Sequence, residues 1–142
     1  MLKKHTLWLT VASVFQLITG LIHSIGLFTE MQGQNETENN MLDLMTNHQM
    51  DMGAGMFQSM MDLFLALSSC FAFLYLLGGI NNLFLLKRLT HSDLKKYLLI
   101  NILIFGTCFF VMLFLTFLPP IILTGLVFVF LILSYFTTPK ES

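Results

Sequence analysis

The sequence predicts an all-α membrane protein: a bundle of four transmembrane helices, with a short amphipathic helix in the loop between the first two. Of its 142 residues, 56% are hydrophobic and only 11% are charged, whereas an ordinary soluble domain is about 25% charged. Four continuously apolar stretches approach the roughly 20 residues that a helix needs to cross the hydrocarbon core. A transmembrane β-barrel would show alternating segments of about ten residues, so that class is excluded.

We place the four spans in a single domain, at residues 7–28, 57–86, 97–118 and 120–136. We expect the first to be retained, because it is longer than a signal-peptide core and no small-residue cleavage site follows it. The second has about thirty residues and would extend about 45 Å, so it projects from the membrane or bends at Gly78–Gly79. Pro119 and Pro120 form the tight connection between the last two spans.

Orientation follows from the basic residues, because lysine and arginine concentrate in cytoplasmic segments. All seven fall on one side of the predicted topology: Lys3, Lys4, Lys87, Arg88, Lys95, Lys96 and Lys140. The sequence therefore predicts a cell-membrane protein with both termini and the loop 87–96 in the cytoplasm. The loop 29–56, which has neither lysine nor arginine, is predicted to be extracytoplasmic.

The extracytoplasmic loop changes character along its length. Gln32 to Asn40 is polar and is expected to be irregular. Apolar residues then recur at helical spacing, which predicts a surface helix from Met41 to about Gln49, capped by Asn39 or Asn40. Gly53–Ala54–Gly55 is expected to break the chain before the second span.

Two ionisable residues lie within the predicted spans, where they are costly and are functional candidates by default. His23 lies five residues before the loop-side end of the first span, and Asp62 lies five residues after the start of the second, so each is about 8 Å deep. Equal depth predicts an Asp–His pair. That pair is either a structural contact between two buried polar groups or a ligand, proton or metal site.

These residues predict an outward-facing pocket with the methionine-rich loop as its lid. Its candidate ligand-binding residues are His23, Asp62, His48, Asp51 and Ser59. The expected ligand is a small hydrophobic or lipid-like molecule; the alternative occupant is a partner membrane protein or a second copy of this chain. A membrane enzyme with His23 as base and Asp62 as its orienting group is a further alternative, with catalytic residues and substrate unknown.

Methionine is concentrated in one segment: eight of the ten lie between Met31 and Met61. Thioether ligands select Cu(I), so copper handling is an alternative function, with Met45, Met52 and Met56 on helical faces and His48 nearby as its ligands. The other interpretation is that methionine is an adaptable apolar filler at a lipid or protein interface. No cofactor is required by the sequence. Nucleic acid is excluded as a partner, because the basic residues are few and divided among membrane flanks.

Two short motifs resemble those of a family of small, uncharacterised four-helix bacterial membrane proteins. The run from Gly20 to Gly26 is similar to the family's first-helix motif, a histidine with a glycine three residues on. The run from Asn47 to Gly53 resembles its second motif, a histidine followed by Met-Gly, and the segment from Ser59 to Gly79 looks like its second span. The resemblance singles out His23, Gly26, His48 and Gly53 and implies no activity. The general shape is also similar to DoxX-type four-helix proteins, which implies only a fold.

Overall fold

The computed structural model describes residues 3–29 and 31–139, so Glu30 and Lys140 lie outside the described residues. These residues form five helices and one β-hairpin. In order they are α1 (Lys4–Gly26), α2 (Glu36–Asn47), β1 (Gln49–Asp51), β2 (Phe57–Ser59), α3 (Met60–Leu85), α4 (His91–Leu115) and α5 (Leu118–Thr137).

Helices α1, α3, α4 and α5 are long and apolar enough to cross a membrane. Most of their surface is not covered by the rest of the chain: between 17% and 33% of the most apolar window of each helix is buried. Large side chains such as Leu67, Phe73 and Phe114 are 69% to 80% exposed. A soluble protein rarely exposes so large a contiguous apolar surface, so the architecture is that of a multi-pass membrane protein.

Side chains cap the first turns of α2, α3 and α4, and in α4 the cap explains the difference from the predicted span. Thr90 accepts a hydrogen bond from the Asp93 backbone N–H at 3.2 Å, so α4 starts at His91, six residues before the predicted span. The first turn of α4 is therefore helical although its residues are polar and lie outside the apolar run. Helix α5 includes Pro119 and Pro120 in its own first turn, where their missing N–H groups have no helical partner to lose.

Helix α1 packs antiparallel against α3 through two glycines. A Cβ at Gly20 would lie 2.7 Å from Leu76 Cγ, and one at Gly79 would lie 2.9 Å from the Ser13 carbonyl oxygen. Small residues allow this close backbone approach. Helix α3 runs unbroken from Met60 to Leu85, so Gly78–Gly79 does not interrupt it and serves helix packing.

Aromatic rings join the other helices. The Phe130 ring of α5 stacks between Trp8 and Phe15 of α1, with both centroid distances at 5.7 Å. Between α4 and α5, glycines accept facing rings: Gly106 lies against Phe128, and Gly125 lies against Phe109.

The bundle therefore has the order α3–α1–α5–α4, with close backbone packing between each consecutive pair. Between α3 and α4 the backbones approach less closely. There the Phe105 ring of α4 lies edge-on to Tyr75 at 5.0 Å and packs on Gly78. One large side chain thus spans the gap between these two helices.

The two ends of the bundle differ in charge. The basic end, where α1 and α4 begin, carries all six basic residues that the structure describes, from Lys3 to Lys96. The rings of His5 and His91 meet there at 5.2 Å. The opposite end, called the loop end below, carries α2 and the hairpin.

The segment between α1 and α3 is more ordered than the sequence suggested. Helix α2 begins at Glu36, because Asn35 accepts a hydrogen bond from the Glu38 backbone N–H at 2.9 Å. The stretch predicted to be irregular is so only as far as Asn35, and the predicted caps at Asn39 or Asn40 are wrong. The hairpin was not predicted. Its turn contains Gly53, Ala54 and Gly55, all with positive φ, and the break expected there is confirmed.

Candidate functional site

His23 lies on α1 against the face of α3. Its ring meets Phe71 edge-on, with centroids 4.8 Å apart. Its Nε2 atom is buried and has no hydrogen-bond partner. A buried polar atom without a partner costs free energy. The Nε2 atom of His23 could therefore gain stability from one further hydrogen bond.

Asp62 does not pair with His23, although the structure describes both residues. Its carboxylate instead accepts hydrogen bonds from the Ser59 backbone N–H at 3.0 Å and from Ser59 Oγ at 2.7 Å. Ser59 Oγ accepts in return from the Asp62 backbone N–H at 3.1 Å. The two residues form the reciprocal capping box that begins α3.

The predicted equal depth fails for a geometric reason. The contacts of His23 with Phe71 and of Gly20 with Leu76 place the end of α1 beside about residue 68 of α3. The first eight residues of α3, 60–67, therefore project about 12 Å beyond α1. Asp62 lies on this projection, well beyond His23. The second span is long because α3 continues past the end of its neighbour α1.

The other predicted ligand-binding residues also have local roles. Asp51 Oδ1 accepts a hydrogen bond from the Gly53 backbone N–H at 2.8 Å and supports the hairpin turn. His48 ends α2 in an extended conformation and is exposed. Thus Ser59, Asp62 and Asp51 organise the backbone at the loop end.

A groove of about 380 Å³ lies at the loop end, between the end of α1, helix α2 and the projecting part of α3. Most of its lining is apolar. The lining residues are Gly26, Leu27, Phe28, Thr29, Met31, Leu42, Thr46, Met61 and Leu65. None of these was a predicted ligand-binding residue. The amphipathic pattern of α2 and the apolar run after His23 are the sequence signals of this groove, whereas the predicted pocket rests on polar residues.

The methionines predicted to bind copper are divided between two elements. Met45 lies on α2, whereas Met52 and Met56 flank the hairpin turn. The helical face predicted for Met52 and Met56 is therefore wrong, because neither residue is helical. Within residues 3–29 and 31–139, no group of three or more His, Cys, Asp or Glu side chains is arranged to hold a metal ion.

The structure also pairs two carboxamides that were not predicted to meet. Asn82 Nδ2 of α3 donates to Gln16 Oε1 of α1 at 2.7 Å, and both side chains are fully buried. Three buried polar atoms have no hydrogen-bond partner: Gln16 Nε2, Asn82 Oδ1 and the hydroxyl of Tyr75, which is also on α3. Gln16 is a polar residue within the first predicted span, but its partner is set by the packing of α1 against α3.

Comparisons with known protein families, with curated proteins and with solved structures find no match to this chain. The resemblance noted from its motifs therefore stays a prediction. The geometry of the loop end carries the functional argument.

Proposed function

We propose that this chain binds a lipid-like molecule in the groove at the loop end, on the extracytoplasmic face of a cell membrane, with both termini in the cytoplasm. The observation that carries the proposal is the groove itself, formed where α2 lies beside the projecting end of α3. The proposed orientation of the chain in the membrane rests on the segregation of lysine and arginine to the basic end.

The size of the groove supports a small occupant. Ligand pockets commonly enclose roughly 300–1,000 Å³, and the groove holds about 380 Å³. That volume suits one acyl chain or a hydrophobic molecule of comparable bulk. A partner protein would instead require an extended contact surface.

The chemistry of the groove selects the kind of lipid. Leu27, Leu42 and Leu65 offer apolar contact, and the polar side chains in the lining are two threonines. The neighbouring α2 carries Glu36 and Asp43 on its exposed surface, and no lysine or arginine occurs between residues 31 and 86. An anionic headgroup would meet like charge there, so we propose a neutral or zwitterionic lipid.

The position of the groove gives such a lipid access. Phe28 and Met31 at its edge are 90% and 48% exposed, and α3 carries exposed Phe64 and Leu67 just beyond it. These side chains are suited to acyl chains at the membrane boundary. A lipid could therefore leave the bilayer sideways and place one chain under α2.

Native mass spectrometry of the protein in mild detergent tests the proposal. Phosphatidylcholine and phosphatidylglycerol are added separately at equal concentration. We expect one phosphatidylcholine to be retained per chain, in preference to phosphatidylglycerol. Thr46→Trp fills the groove with an indole ring and should abolish retention.

Thr37→Trp is the matched control. Residues 37 and 46 are nine apart, so they lie on opposite sides of α2 at 100° per residue, and Thr37 is outside the groove lining. Equal retention by both variants would refute the groove as the binding site. If the mass spectrum instead shows a dimer or a bound second protein and no lipid, the result favours a protein as the partner of this chain.

A further inference from the structure

The hairpin presents a run of alternating methionines that the groove does not use. Its strands pair antiparallel, with Met50 opposite Gln58 and Asp51 opposite Phe57. At the next step Met52 lies opposite Met56, and the Met52 backbone N–H donates to the Met56 carbonyl oxygen at 2.9 Å. The ladder therefore continues to the mouth of the turn.

This register assigns three methionines to one face. Alternate residues of a strand share a face and are about 6–7 Å apart, which relates Met50 to Met52. Directly opposed residues have Cβ atoms about 4.5–5.5 Å apart, which relates Met52 to Met56. Methionine is unbranched and flexible, so the three sulfur atoms can converge on one point.

The turn holds this arrangement in place. Gly53, Ala54 and Gly55 all have positive φ, and the Met56 backbone N–H donates to the Gly53 carbonyl oxygen at 3.1 Å. The Asp51 carboxylate adds its bond to the Gly53 N–H. Met52 and Met56 nevertheless remain 41% and 57% exposed, so an ion can reach their sulfur atoms.

Charge and ligand type narrow the choice of ion. Thioethers are soft ligands that favour Cu(I) over divalent ions such as Zn²⁺ or Mg²⁺. The described part of the chain has no cluster of three His, Cys, Asp or Glu residues that would hold a harder ion. No lysine or arginine between residues 31 and 86 opposes a cation.

We propose that Met50, Met52 and Met56 bind one Cu(I) ion on this face of the hairpin. His48 lies two residues before Met50 with an extended backbone, so the alternation of a strand relates it to the same face. Met45 lies on α2, outside the hairpin. The proposal is independent of lipid binding, since none of the three methionines lines the groove.

Competition with a chromogenic Cu(I) chelator, under anaerobic conditions with ascorbate, measures the Cu(I) affinity of the purified protein. We expect one Cu(I) per chain. Met52→Leu and Met56→Leu should each raise the Kd at least about tenfold, and the triple leucine variant should lose binding. Met41→Leu removes an exposed thioether from α2 and should leave the Kd unchanged.

Silver provides a redox-inert second readout. With methionine methyl groups labelled by ¹³C, one equivalent of Ag(I) should shift three of the ten methionine resonances and saturate. The proposal is overturned if Met41→Leu weakens Cu(I) as much as Met52→Leu, or if the silver shifts spread over many methionines without saturation. Unchanged far-UV circular dichroism of the leucine variants separates loss of ligand from loss of fold.

Discussion

Asn82 and Gln16, on helices that are distant in sequence, share a 2.7 Å hydrogen bond in the fully buried interior of the bundle. The bond ties α3 to α1 at a level where Gly78 lies against the Gln16 amide. Because lipid offers no alternative partner, each carboxamide depends on the other.

We expect Gln16→Met or Asn82→Leu to lower the free energy of unfolding by about 1–2 kcal/mol, because each change leaves a buried amide without its partner. The double variant should cost less than the sum of the two, with a coupling energy of about 0.6 kcal/mol or more. Unfolding in mixed detergent micelles measures all three. Strict additivity would show that the bond contributes no net stability.

Gly79 sets the distance between α1 and α3. Gly79→Ala should destabilise the fold by about 1–3 kcal/mol, because the new Cβ would lie 2.9 Å from the Ser13 carbonyl oxygen, a backbone atom that cannot move by itself. Gly26→Ala is the matched control, since no atom lies within 4 Å of its added Cβ. The same micelle unfolding assay compares them. Equal stabilities would mean that the helices separate at no cost.

The Ser59–Asp62 capping box gives a test that distinguishes the observed partner of Asp62 from the one expected at equal depth. Ser59→Ala should cost about 0.5–2 kcal/mol of stability through loss of the cap. Double-mutant cycles should yield a coupling energy between Ser59 and Asp62 and none between His23 and Asp62. The capping role would be contradicted if the coupling energy between His23 and Asp62 exceeded the one between Ser59 and Asp62.

The proposed orientation predicts which segments are accessible to reagents that cannot cross the membrane. In a Cys70→Ala/Cys108→Ala background, a cysteine at Asn40 should react with an impermeant maleimide on intact cells. A cysteine at Ser92 should react only after the membrane is opened. The reverse pattern would invert the topology and place the groove in the cytoplasm.

The number and apolar character of the long helices could be predicted from the sequence, because a helix that faces lipid must carry a continuous apolar run. Their boundaries could be predicted only approximately. The polar first turn of α4 and the cap at Asn35 are stabilised by local hydrogen bonds that hydropathy does not register. The hairpin was missed for a related reason: its His-x-Met-x-Met alternation was interpreted with a helical period.

The sequence by itself therefore determined that four helices suit a membrane and that lysine and arginine collect at one end. Only the tertiary structure decided which polar groups meet. Asp62 was expected beside His23, but α3 projects about 12 Å past α1, and Asp62 caps its own helix. The depth of a residue along a span can be counted from the sequence. The displacement of one helix along its neighbour depends instead on where glycines and aromatic rings pack together. That shift created the groove, because the projecting end of α3 left room beside α2.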